Sequence, residues 1–129
     1  MIIAPPPSPP AISWLQCDLR GTEQSSEGVI DTALTLTYRI DDTHHILSFS
    51  ARGAPFRDVA ASGWRVETWT PALIVVRADR GVTSLDRAHL GLTTHVVEHK
   101  AGLTIDQNAT ARCRRLEKPP AGQAQGTGR

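Results

Sequence analysis

Residues Ala72 to His99 read ALIVVRADRGVTSLDRAHLGLTTHVVEH, and this stretch decides the fold class. It holds three runs rich in Val, Ile, Leu and Thr: Leu73–Ala78, Val82–Arg87 and Leu92–His99. Two compact connectors separate them, Asp79-Arg80-Gly81 and Ala88-His89-Leu90-Gly91. Each ends in glycine, which accepts a positive φ without a Cβ clash. Short β-prone runs broken by such turns read as consecutive antiparallel strands.

The same pattern extends outward. Ser13 to Arg20 alternates Leu15, Cys17 and Leu19 with polar residues, the period of a half-buried strand. Thr32 to Asp41 alternates more cleanly, with Leu34, Leu36, Tyr38 and Ile40 on one face, expected to be buried together. Between these two strands, Gly21 to Gly28 reads as a polar loop. His45 to Ser50 pairs back as a hairpin partner across the Asp42-Thr43-His44 turn. Ala51 to Ser62 is where one helical turn fits, with Pro55 at its first position and Gly63 just past its end. Gly63 to Thr70 is a further strand, stopped by Pro71. Gly102–Ile105 and Ala109–Leu116 supply one or two closing strands. No internal repeat is evident. The expected architecture is therefore all-β: a single-domain antiparallel meander of about eight strands, closed as a barrel or folded as a sandwich.

Domain organisation follows from the ends. Residues 1–11 are a disordered proline-rich lead, 12–118 the all-β domain, and 119–129 a disordered tail of small and polar residues. A chain of 129 residues is the length of one domain. Its 14 Lys and Arg barely exceed its 13 Asp and Glu, which argues against a nucleic-acid partner. No apolar run reaches the ~18 residues of a transmembrane helix. Met1-Ile2-Ile3-Ala4 is too short for a signal peptide, so the expectation is a periplasmic or envelope protein if a signal is missing from this sequence, and a cytoplasmic one otherwise.

Four features resemble a group of small bacterial all-β envelope proteins. They are Cys17 in the first strand, the Tyr-x-Ile-Asp-Asp end of the strand at Tyr38–Asp42, the Leu-Asp-Arg-x-x-x-Gly hairpin at Leu85–Gly91, and Cys113 in the last strand with Lys118 after it. Ala111 stands where that group would have glycine. The resemblance implies a fold and a compartment and no reaction.

Candidate chemistry is sparse. Cys17 and Cys113 fall on the first and last strands, which a closing meander makes neighbours. In an oxidising compartment they form a disulfide; otherwise they are two buried thiols. His95 and His99 lie about 13 Å apart along a strand, too far to share a metal, and His44 and His45 point opposite ways. Asp86 is expected to accept hydrogen bonds from turn N–H groups, and Arg87 to close an end of the barrel. Trp64 and Trp69 differ by 69 − 64 = 5 positions, so in an unbroken strand one faces in and one out. Trp64, Trp69, Arg87 and His95 are the expected ligand or partner surface. No catalytic, cofactor-binding or metal-binding residues are assigned, since no nucleotide, metalloprotease or nucleophile-elbow pattern occurs. The chain thus reads as a non-enzymatic binding or structural module of the bacterial envelope. Its partner would be a protein or a small apolar ligand. The alternatives are a barrel holding a small apolar ligand and a hydrolase without a recognisable motif.

Overall fold

The computed structural model describes residues 11–120, so the readings placed on 1–10 and 121–129 lie outside the described residues. The chain forms nine antiparallel strands, β1(Ile12–Ser25), β2(Gly28–Asp41), β3(Ile46–Ala51), β4(Arg57–Asp58), β5(Arg65–Trp69), β6(Leu73–Ala78), β7(Gly81–Asp86), β8(Gly91–Lys100) and β9(Leu103–Leu116), with one 3-10 turn at Val59–Ser62. They make one sheet in the order β4-β3-β2-β1-β9-β8-β7-β6-β5, curled into a half-barrel. The first and last strands pair in the middle, and the two edges, β4 and β5, are consecutive in the chain. The meander therefore closes at β1–β9 and stays open at a seam between β4 and β5.

Several local readings change. Gly21 to Gly28 is not a loop: β1 runs on to Ser25 and β2 starts at Gly28, with only Ser26 and Glu27 between them. The inward period of Leu15, Cys17 and Leu19 continues through Gly21 and Glu23, which gives both strands paired neighbours beyond the core. The closing segment is one strand of 14 residues. The 3-10 turn starts at Asp58, whose carboxylate caps Ala60 N–H, and not at Pro55; Arg57 and Asp58 have already paired with Phe49 and Ser48 of β3. Gly63 ends the turn at φ 86°, as its position suggested. At the tail, Pro119 and Pro120 are half-buried.

The connector glycines serve a different purpose from the one read in sequence. The positive φ before β8 belongs to Leu90, at 55°, and not to Gly91. Gly81 makes room: a Cβ there would stand 2.8 Å from the Trp64 ring. Gly21 is tighter still, since a Cβ would fall 1.8 Å from the Asn108 carbonyl oxygen of β9. Only a residue without a side chain lets β1 and β9 approach at this point.

The core fills one end of the concave face. Leu15, Ile40, Leu47, Ile74, Leu85 and Leu92 are all 1–2% exposed there. Cys17 lies beside them, directly opposite Cys113, and the two form a disulfide with their Cα atoms 4.0 Å apart. The face of β2 is as expected but its burial is graded. Tyr38 and Ile40 are buried, Leu36 is half-buried and Leu34 is 38% exposed. The strands β1, β2, β8 and β9 outrun the shorter β3, β6 and β7, so among the described residues no facing strand covers the concave face near their far ends.

Candidate functional site

The two ends of the half-barrel differ in kind. At the filled end, two turns carry the same side-chain wiring. In the β2–β3 turn, Asp41 Oδ1 accepts the backbone N–H of Thr43 and of His44, each at 3.0 Å, and its Oδ2 lies 2.9 Å from His44 Nδ1. In the β7–β8 turn, Asp86 Oδ1 accepts Ala88 and His89 N–H at 3.0 Å, and Oδ2 lies 3.0 Å from His89 Nδ1. The following residues, His45 and Leu90, share a φ of 55°. Ile40 and Leu85, one position before each aspartate, both point into the core. The chain thus uses one Asp-x-x-His turn twice, a repeat hidden in sequence because only the Asp and His are common to both.

The residue after each aspartate joins the two turns. Arg87 Nη2 donates to Asp42 Oδ2 at 2.6 Å, and Nη1 donates to Asp42 Oδ1 and to the Thr70 carbonyl, both at 2.9 Å. Trp69 Nε1 donates to the same Asp42 Oδ1 at 2.8 Å, and the Trp69 ring stacks on His45 with centroids 4.9 Å apart. The Arg87 guanidinium, then burial acting the other way, then the Trp69 donor set the Asp42 carboxyl below its ordinary range. This cluster ties β2–β3 to β5–β6 and β7 and plugs the end of the half-barrel, the closing role expected of Arg87.

The other end is open. A cleft of about 390 Å³ runs along the concave face and is lined mainly by apolar side chains, among them Leu34, Leu36, Phe49, Val59, Trp64 and Val96. Ala109 and the unsubstituted Gly21 beside it keep its floor low. A few polar groups converge on it. The Tyr38 ring is 6% exposed, and its hydroxyl, which reaches the cleft, has no hydrogen-bond partner among the described residues. Burial pushes that hydroxyl up to about 12, so at neutral pH it is a donor. Thr83 and Thr94 share one hydrogen bond at 2.8 Å. At the rim, Gln107 Nε2 donates to Glu23 Oε2 at 3.1 Å and to Glu98 Oε1 at 2.8 Å, so one amide on β9 bridges two carboxylates from the strands on either side, β1 and β8.

The residues expected to form one surface are dispersed. Trp64 lines the cleft; Trp69 and Arg87 belong to the plug; His95 lies on the outer face, 2.6 Å from Asp106. Both tryptophans pack against the core. The unbroken-strand argument fails because β5 carries a bulge between Val66 and Thr68, which adds a residue and resets the alternation. Tyr38 was legible only as a core residue, while Glu23, Thr83, Thr94 and Gln107 went unread. The signal for Glu23 was the alternation of β1 continued past Arg20.

What the fold and the two ends define is an antiparallel half-barrel, stapled through its central strands, plugged at one end and open to an apolar cleft at the other. Comparison with protein-family models, with curated proteins and with solved structures finds no match to the chain. No helix among the described residues is long and apolar enough to cross a membrane.

Proposed function

We propose that this protein is a non-enzymatic binding module that takes a small apolar ligand in the cleft at the open end of its half-barrel. The observation that carries the reading is the contrast between the two ends. A purely structural β-domain would fill its concave face throughout, as this one does under the Asp42–Arg87 plug. Apolar space of a few hundred Å³ with a handful of convergent polar groups is the usual form of a small-molecule site. Here Tyr38 and the Thr83–Thr94 pair are those groups. No nucleophile with a positioned base occurs among them, so the chemistry on offer is recognition.

The Cys17–Cys113 disulfide supports an oxidising compartment, and with the resemblance noted above it supports a place in a bacterial envelope. The test is titration with a neutral fluorescent apolar probe, N-phenyl-naphthylamine, against the native chain and an Ala109→Leu variant that fills the cleft. Saturable binding that the variant abolishes while keeping its melting temperature is the expected result. A native chain that binds no probe would leave the structural-module reading in its place.

A further inference from the structure

We infer that the cleft is built for an elongated apolar amine, its ammonium held at the rim between Glu23 and Glu98 and an acceptor oxygen at its inner end facing Tyr38. The inference rests on the ligand-binding reading above and adds the ligand's chemistry.

Three observations carry it. The first is the sign of the rim. Glu23 lines the cleft, and Glu98, exposed on β8, is linked to it through the neutral Gln107 amide, the one group the two carboxylates share among the described residues. No lysine, arginine or histidine lines the cleft among the described residues. An anionic head group would meet two like charges there, whereas an ammonium would find acceptors on both sides. The second is the inner wall. Tyr38 is 6% exposed as a residue, and its hydroxyl, open to the cleft, has a hydrogen to donate and no acceptor among the described residues, which matches a ligand oxygen. The third is length. Tyr38 stands opposite Leu15 in the register, and Glu23 is eight residues further along β1. At about 3.3 Å per residue this is roughly 26 Å between backbone positions, shortened by the reach of both side chains. Apolar side chains fill the interval, so the ligand between the two polar points is a chain and not a compact ring.

Trp64 lines the cleft and supplies a fluorescence readout. The experiment compares three probes on the full chain, each below its micelle concentration: the methyl ester of omega-aminododecanoic acid, dodecylammonium, and methyl dodecanoate. The amino ester should bind about five- to tenfold more tightly than methyl dodecanoate, the scale of two partly exposed charge contacts. Glu23→Gln and Glu98→Gln keep the hydrogen-bond ladder and should erase that preference. Tyr38→Phe should bring the amino ester down to the affinity of dodecylammonium and leave the latter unchanged. Equal binding of the amino ester and methyl dodecanoate, or a preference that survives the double glutamine variant, overturns the amine assignment while the ligand-binding reading stands. Failure of all three probes to bind overturns both. Thermal unfolding of each variant shows whether it is folded, and Glu98→Gln, on an exposed side chain, keeps the charge test available if Glu23→Gln unfolds.

Discussion

The Arg87 guanidinium grips the Asp42 carboxylate through two hydrogen bonds, 2.6 and 2.9 Å long, and so joins the β7–β8 turn to the β2–β3 turn across the filled end of the half-barrel. No backbone pairing links those two hairpins directly, since β1 and β9 lie between them along the sheet. The curl of the sheet at this end is therefore held by side chains.

Arg87→Ala should destabilise the fold by about 1–2 kcal/mol, because it strips the half-buried Asp42 carboxylate of its charged donor and frees the Thr70 carbonyl. Urea denaturation checks this. Val82, half-buried at the other end of β7 and outside the plug, is the control. Replaced by Thr, it should change stability by less than about half as much.

Acid should loosen the same end first. Asp41, Asp42 and Asp86 all lie below the ordinary carboxylate range: Asp42 through Arg87, Asp41 through the His44 ring and backbone, Asp86 through the His89 backbone and ring. A carboxyl whose folded pKa is depressed takes up its proton more readily when unfolded. Its stabilisation is complete above the unfolded value, about 4, and disappears as pH falls through the lower folded value. Stability followed by urea denaturation from pH 6 to about 2 should fall steeply below about pH 4. Asp42→Asn should be the less stable chain at neutral pH and converge with the native one in acid.

Reduction of Cys17–Cys113 should lower stability by about 2–5 kcal/mol, since the bridge joins residues 96 apart in sequence and removes a large share of the unfolded chain's freedom. Thiol titration of the unreduced, denatured chain should find no free thiol. Two free thiols would place the protein in a reducing compartment and remove the envelope proposal.

Two glycine variants should separate close approach from loop freedom. Gly21→Ala forces a Cβ into the Asn108 carbonyl and should cost more than about 2–3 kcal/mol or prevent folding. Gly91→Ala meets nothing nearer than 4.0 Å and should stay within about 1 kcal/mol of native. Thermal unfolding of the two variants makes the comparison.

What the sequence determined by itself is the class of fold and the strand faces. Alternation fixes which side of a strand is apolar, so Leu15, Cys17 and Leu19 were placed correctly beside Tyr38 and Ile40. The meeting of the first and last strands was legible too, and with it the closeness of the two cysteines, though not whether they are bridged. Alternation has no bearing on how far one strand outruns its neighbour. For that reason Leu34 and Leu36 read as core and turn out to line a cleft. Nor can it register a bulge, and the added residue in β5 turned Trp64 and Trp69 to the same side. The plug and the cleft are decided by curvature. Only the curled sheet brings Asp42 to Arg87, 45 residues apart in the chain, and only the β1–β9 register sets Glu23 beside Gln107, 84 residues apart, where Gln107 also reaches Glu98 on the neighbouring hairpin strand.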